Sequence, residues 1–96
     1  MNMGLSDDLM GNLAQVLRSY PEVKRAVIFG SRARGDYRYN SDIDLAVYTE
    51  GSPSAGLYLD LDEASGIYKL DFIDMSHLVN EKLRQHIEAE GVQIYP

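Results

Sequence analysis

Two short stretches of the sequence carry side chains that can handle phosphate groups and metal ions. Gly30-Ser31 follows an apolar run, and Asp42-Ile43-Asp44 comes after ten further residues. A glycine at the end of a strand lets the backbone turn sharply and approach a ligand closely. The backbone amides that follow it, together with the Ser31 hydroxyl, can donate hydrogen bonds to an anion. We therefore predict a phosphate-binding turn beside a pair of carboxylates.

Basic side chains surround the same turn. Arg32 and Arg34 lie in it, and the guanidinium group of arginine suits forked contacts with the oxygens of a triphosphate. The window from Lys24 to Arg38 holds five basic residues and one acid, whereas the whole chain has a formal net charge of −6. A small basic island on an acidic chain favours a compact anionic ligand over a long polyanion. We therefore expect no direct nucleic-acid binding.

The acidic pair predicts a site for magnesium. Asp42 and Asp44 are two residues apart on a predicted strand, so their carboxylates project from one face. Two neighbouring acids repel each other unless a cation bridges them. Hard oxygen ligands in a chain without cysteine favour Mg²⁺. A pair of such ions, about 3.5–4 Å apart, is the arrangement used for in-line displacement at phosphorus, and it calls for a further carboxylate from a neighbouring strand.

The third predicted strand offers two acids for that role. Asp74 shares its face with Leu70 and Phe72, which are typical core residues, and we expect it to cap the helix that follows. Asp71 shares its face with Lys69 on the more polar side. We therefore predict Asp71 as the third metal ligand, and as a group that can draw the proton from an attacking hydroxyl.

The pattern of apolar residues predicts the elements that position these groups. A stretch from Leu57 to Ala64 fits a helix or a strand, and a helix is preferred because Gly66 stands where a C-terminal cap belongs. The alternation of helices and strands predicts an α/β (α+β) fold, with a small mixed sheet flanked by helices. The predicted elements are a helix over 7–19, a strand over 23–30, a loop or helical turn over 31–41, a strand over 42–48, a helix over 57–64, a strand over 67–74, a helix from Ser76 to Gly91 with Val79, Leu83 and Ile87 along one stripe, and an edge strand over 92–95.

Length and composition limit the class of protein. Ninety-six residues predict one domain over 1–96, and a domain of this size often gains stability from a homo- or hetero-oligomeric partner. The absence of cysteine excludes disulfides and thiolate metal sites. No apolar run is long enough to cross a bilayer, and the start lacks the features of a signal peptide, so we expect no membrane association and a cytoplasmic location.

These motifs resemble the signature of a known superfamily. Gly30-Ser31, the ten-residue spacing, Asp42-Ile43-Asp44 and an acid on a later strand are similar to the DNA polymerase β-like nucleotidyltransferases. The sequence FGSRARG followed by SDIDL resembles in particular the minimal nucleotidyltransferases (MNT proteins) of prokaryotes, and the resemblance extends over nearly the whole chain. It implies a polymerase β-like nucleotidyltransferase fold.

The resemblance also implies roles for the site residues. Asp42 and Asp44 would hold two Mg²⁺ ions, and Asp71 would hold the catalytic one. Gly30 and Ser31 would bind the β- and γ-phosphates, assisted by Arg32 and Arg34. A hydroxyl would then attack the α-phosphorus and pyrophosphate would leave, with ATP as the expected substrate of the family.

Three functions remain open at this point. MNT proteins of this size resemble the antitoxins of HEPN/MNT toxin–antitoxin pairs, which transfer AMP to a tyrosine of a HEPN ribonuclease toxin encoded nearby. A second function is small-molecule adenylylation of the aminoglycoside type, which would need another subunit to complete the acceptor pocket. A third is a non-catalytic module that masks a partner. We rank protein adenylylation (AMPylation) first, because so short a chain holds little beyond a catalytic core.

Overall fold

The computed structural model describes residues 3–96. None of the helices in that range is long and apolar enough to cross a membrane. Along residues 3–96 helices and strands alternate, and the helix between the first two strands is a single short turn. The elements are α1 (Asp7–Arg18), β1 (Val23–Phe29), α2 (Ser31–Arg34), β2 (Ile43–Thr49), α3 (Ala55–Ala64), β3 (Leu70–Asp74), α4 (Glu81–Glu90) and β4 (Val92–Tyr95).

The four strands of residues 3–96 form one mixed sheet in the order β3-β2-β1-β4. Strand β1 runs antiparallel to both of its neighbours, and β2 runs parallel to β3. The predicted mixed sheet with flanking helices is therefore confirmed. The register pairs Asp44 of β2 with Phe29 of β1 on one side and with Asp71 of β3 on the other.

Helices cover both faces of the sheet. Alternation along β2 sends Ile43, Leu45 and Val47 to the face covered by α1 and α3. The other face packs against α4 through a smaller cluster that contains Val27, Phe29, Ala46, Met75 and Ile87. Full burial of one large aliphatic side chain stabilises a fold by about 1.5–3 kcal/mol. The core thus fixes which side chains of β2 face each layer.

The helix ends follow local hydrogen-bonding rules. The Ser6 hydroxyl accepts a hydrogen bond from the Leu9 amide at 3.1 Å, and Asp7 and Asp8 lie in the first turn of α1, where acids are favourable. Helix α3 ends at Ala64, and Gly66 adopts a positive φ of 64° just beyond it. The preference for a helix over a strand in this segment is confirmed.

The segment before α4 corrects the predicted start of that helix. Helix α4 begins at Glu81 rather than Ser76, and the Asn80 side chain caps it by accepting a hydrogen bond from the Leu83 amide at 3.1 Å. Asp74 instead accepts hydrogen bonds from the Ser76 amide and hydroxyl, which closes a local turn. Val79 is 95% exposed, so it does not belong to the buried stripe of α4.

Strand β3 is also shorter than the apolar pattern predicted. It begins at Leu70, and Ile67 lies outside it with 95% of its surface exposed. The turn after α3, with Gly66 in the left-handed region and a hydrogen bond from the Tyr68 amide to the Ser65 carbonyl, occupies the residues before the strand. Ile67 therefore lies outside the pairing of β3 with β2, although its β-branched side chain favours a strand.

The Asn80 cap generates a stability prediction. Replacement of Asn80 by alanine leaves the Leu83 amide without its acceptor and should destabilise the fold by about 1 kcal/mol. Val79→Ala, one residue earlier and almost fully exposed, is the matched control and should leave the free energy of unfolding unchanged within about 0.5 kcal/mol. Urea denaturation of the three proteins measures both values, and equal midpoints for Asn80→Ala and the wild type would contradict the cap.

Candidate active site

Gly30 joins β1 to α2 in a conformation that other residues avoid. Its φ and ψ are 74° and −151°, a region open almost only to glycine. A Cβ atom at this position would overlap Oδ2 of Asp44. Glycine is therefore needed both for the backbone turn and for the close approach of that turn to Asp44.

Helix α2 is a single turn held between two glycines. Gly35 ends it in the left-handed region, with φ of 92°, and its amide donates to the Ser31 carbonyl at 2.9 Å. The first amides of a helical turn have no acceptor within the helix. The amides of the predicted phosphate-binding turn thus begin directly beside Asp44, and the Ser31 side chain is partly exposed there.

The three predicted acids lie at one end of the β2–β3 pair. Asp44 and Asp71 are register partners, and Asp42 directly precedes β2. Burial raises the pKa of Asp44 to about 6, with further contributions from the neighbouring Asp71 and Asp42 carboxylates, while Arg34 acts in the opposite direction. The raised pKa reflects the cost of holding a partly buried carboxylate beside two other acids.

Arg34 lies at the exposed side of this group. Its Nη1 atom is 3.2 Å from Oε1 of Glu90, and its Nε atom is 3.4 Å from Oδ2 of Asp36. The charge of Asp36, followed by that of Glu90, raises the pKa of Arg34. The guanidinium group thus brings a positive charge close to Asp44.

Arg32 takes a different place from the one predicted for it. Only 1% of the residue is exposed, and its guanidinium donates to the Met3 carbonyl at 3.0 Å and to the Ser41 carbonyl at 2.7 and 3.2 Å. Its Cζ atom also lies over the rings of Tyr68 and Tyr37, at 4.7 and 5.3 Å from the ring centroids. The structure therefore does not bring the Arg32 side chain to the phosphate-binding turn. It braces the loop that leads to Asp42 instead.

Comparison with known protein families identifies the chain. Residues 11–96 match the family described as Polymerase beta, Nucleotidyltransferase. The chain belongs to this family. No curated protein matches the chain in sequence.

Solved structures similar to this nucleotidyltransferase include toxin–antitoxin complexes. A chain of a toxin–antitoxin complex solved with AMP-PNP superimposes with a TM-score of 0.75 at 26% identity, covering 88% of this chain and 71% of that chain. A mutant MntA-HpeT toxin–antitoxin complex gives a TM-score of 0.72 at 24% identity, with the same coverage. A tri-AMPylated Shewanella oneidensis HEPN toxin in complex with its MNT antitoxin gives 0.68 at 22%, covering 90% and 68%. The last two show the fold alone.

Asp42, Asp44 and Asp71 carry the kind of ligand atoms that divalent cations prefer. They supply hard oxygen donors, and their mutual repulsion is relieved when a cation bridges them. Among residues 3–96, no three His, Cys, Asp or Glu side chains already converge as a preformed metal site. The backbone register places Asp44 and Asp71 side by side, so their side chains can close on an ion without a change of fold.

Sequence reasoning missed two residues of the site region. Tyr68 supplies one side of the Arg32 stack, and Glu90 supplies the second partner of Arg34. An acid at the C-terminal end of a helix is electrostatically unfavourable, so the position of Glu90 was the available signal that it needs a basic partner. The position of Tyr68 in the sequence carries no comparable signal.

Two further side chains with groups that could bind or catalyse lie outside the site. The Nδ1 atom of His77 is 2.7 Å from Oδ2 of Asp74, at the opposite end of β3 from Asp71, and the pKa of Asp74 is lowered despite its burial by hydrogen bonds from Ser76 and His77. Tyr39 is 87% exposed on the loop before Asp42. We assign none of these side chains a role in the site.

The burial of Arg32 generates a stability prediction. Arg32→Ala leaves the Ser41 and Met3 carbonyls without their donor and removes the cation–π contacts with Tyr37 and Tyr68, so it should destabilise the fold by about 2–4 kcal/mol. Arg38→Ala, an exposed arginine of the same loop, is the control and should change stability by less than about 0.5 kcal/mol. Chemical denaturation distinguishes the two variants. An Arg32→Ala protein of wild-type stability would show that the contacts of Arg32 do not stabilise the loop before Asp42.

The pKa of Asp44 generates a pH prediction for the metal-free protein. Because the folded pKa lies above the usual 3.8, the folded state binds the extra proton between about pH 4 and 6, and stability falls as the pH rises through that window. Asp44→Asn removes this charge. The variant should therefore be more stable than the wild type at pH 7, by about 1–2 kcal/mol after allowance for solvent screening, and the difference should shrink towards pH 4.

Thermal melting in a chelator measures this difference at each pH. Asp62→Asn, an exposed acid on α3, is the control and should show no comparable pH-dependent gain. A wild-type protein that equals or exceeds Asp44→Asn in stability at pH 7 would show that the acids are not crowded.

Proposed function

We propose that this nucleotidyltransferase transfers AMP from ATP to a hydroxyl group of a partner protein, a HEPN-type toxin encoded nearby, and so acts as its antitoxin. The observation that carries the proposal is the placement of Asp44 opposite Asp71 in the sheet, with the Gly30 turn packed against it. The likeness to a chain of a toxin–antitoxin complex solved with AMP-PNP supports both the nucleotide and the kind of partner.

Each group of the site has a proposed task. The Gly30-Ser31 turn binds the β- and γ-phosphates through its amides and the Ser31 hydroxyl, because unpaired amides at the start of a helical turn attract anions. Arg34 balances the remaining phosphate charge from the exposed side. Asp42, Asp44 and Asp71 hold two Mg²⁺ ions. When bound there, the ions would neutralise the negative charge that develops on the phosphoryl group.

The acceptor hydroxyl comes from outside the chain. Asp71 and Arg34 are both exposed, so the site opens to solvent where a protein-borne tyrosine or serine can enter. Asp71 is the acid best placed to take the proton of that hydroxyl, since it is the more exposed member of the Asp44–Asp71 pair. The remaining requirement is an in-line approach to the α-phosphorus, to about 3–3.5 Å, which partner docking provides.

The proposed product explains how transfer silences the toxin. An attached AMP group adds bulk and negative charge to the surface of the partner. Binding of RNA depends on neutralisation of its phosphates by basic groups, so a new negative charge in a ribonuclease groove weakens it. We place this reaction in the cytoplasm, where ATP and a co-encoded partner are both present.

Co-expression with the neighbouring gene product tests the proposal. With the wild type, the partner should gain one or more AMP groups, about 329 Da each, and lose its ribonuclease activity. Asp44→Asn keeps the fold and removes a ligand of the site, so the partner should remain unmodified and active. Intact-protein mass spectrometry and an RNA cleavage assay give the two readouts from the same preparations.

Two other outcomes would reject the proposal in distinct ways. A partner that is fully inhibited but unmodified, with both the wild type and Asp44→Asn, would make the protein a masking module. Transfer of AMP to a small hydroxylated molecule such as an aminoglycoside, with no transfer to the partner, would make it a small-molecule adenylyltransferase.

A further inference from the structure

The last residue of α4 is an acid in a place that the helix itself does not favour. Glu90 ends α4, where the exposed carbonyls carry partial negative charge, and the last turn contains no basic residue. A carboxylate there destabilises the helix by a few tenths of a kcal/mol or more. The stability of α4 therefore does not explain why a glutamate occupies position 90, whereas a contact outside the helix can.

The backbone beside Glu90 is fixed against the sheet. Ile87 is fully buried, and the Gly91 amide donates to its carbonyl at 2.9 Å. A Cβ atom on Gly91 would overlap Cγ1 of Val27, so the end of α4 presses directly on β1. Glu90 thus extends from a tightly packed end of α4, and the residue contacted there, Val27, lies three residues before Gly30 in the chain.

Glu90 uses this fixed position to hold Arg34. Its Oε1 atom lies 3.2 Å from Nη1 of Arg34, whereas Asp36 contacts Nε of the same guanidinium at 3.4 Å. Asp36 is exposed and only two residues from Arg34, so it belongs to the same surface segment as the arginine. Of the two acids, only Glu90 ties the guanidinium to the packed sheet. The charge of Arg34 in turn reaches Asp44.

We propose that Glu90 is a positioning residue, which holds the Arg34 guanidinium over the phosphate-binding turn and so prepares it for the triphosphate. The inference rests on the proposed function in that ATP is taken as the ligand. A guanidinium has five N–H donors, and the contacts of Nε with Asp36 and of Nη1 with Glu90 leave others free to bind phosphate oxygens. An arginine that is held in place loses less conformational entropy on binding than a mobile one.

Calorimetric titration with ATP in excess Mg²⁺ tests this without any transfer reaction. Glu90→Ala should weaken binding by roughly three- to tenfold, the range expected when a modest preorganising contact is lost. Glu90→Gln keeps the Oε1 acceptor without its charge and should recover part of the affinity. Glu88→Ala, an exposed glutamate on the same helix, is the matched control and should bind like the wild type.

A double-mutant cycle separates positioning from folding. If Glu90 acts through Arg34, Glu90→Ala should have no further effect on ATP affinity in an Arg34→Ala background. The melting temperature of Glu90→Ala should equal or slightly exceed that of the wild type, because an unfavourable charge at the helix end is removed. In transfer assays, the loss should appear in KM for ATP rather than in kcat.

The outcomes distinguish this inference from the proposed function. Wild-type protein that does not bind ATP would overturn the proposed function together with the inference. Wild-type binding with unchanged or tighter affinity in Glu90→Ala would overturn the inference alone, tighter binding showing that Glu90 competes with phosphate for Arg34. An equal loss of affinity with and without Arg34 would show a general structural role and would also overturn it.

Discussion

The register of β2 between β1 and β3 determines where every group of the site lies. Pairing with β3 sets Asp44 opposite Asp71, and pairing with β1 sets it opposite Phe29, so that Gly30 turns directly against its carboxylate. The register is itself fixed by burial, because a shift of one residue would turn Asp44 into the core under α1 and α3 and move the apolar residues of that core to the opposite face. The same alternation that builds the core therefore places the acids.

The arrangement of acids around Asp44 lowers the stability of the fold that carries it. Burial and two neighbouring carboxylates raise the pKa of Asp44, and Gly30 occupies a backbone region that most residues avoid. The repulsion among the acids is unfavourable in the protein without a cation, and the proposed function gives both features a use, since bound cations would relieve the repulsion and the Gly30 turn would approach phosphate groups. Both features are tolerated because residues of β1 and β2 around Asp44 are buried on both faces of the sheet, so the surrounding packing holds the groups together.

The elements that carry the site could be predicted from the sequence because short-range rules dominate there. The apolar run before Gly30 specifies β1, the alternation around Asp44 specifies β2, and the polar parity of Asp71 separates it from the core residues of β3. The start of α4 could not be predicted in the same way. Ser76 and Asn80 are both good helix caps, and only the turn closed by Asp74 decides between them.

The roles of the two arginines in α2 could not be separated from the sequence either. Both suit phosphate binding by type and by position, and the choice between them depends on distant parts of the chain. Tyr68 and the Met3 carbonyl surround Arg32, whereas Glu90 meets Arg34. Contacts over such sequence separations carry no local signal, so the structure was needed to show which arginine is buried.

The geometry of a single helical turn explains why Arg32 is buried whereas Arg34 is exposed. Residues two apart on a helix point about 200° away from each other, so one side chain enters the protein when the other faces solvent. Arg32 fixes the turn from beneath through the Ser41 carbonyl, and thereby fixes the loop that ends at Asp42. Arg34 carries charge on the opposite side, where Glu90 holds it. The buried contacts of Arg32 therefore set the position of the turn and of its backbone amides. The charge of Arg34 stays on the exposed side of the same turn.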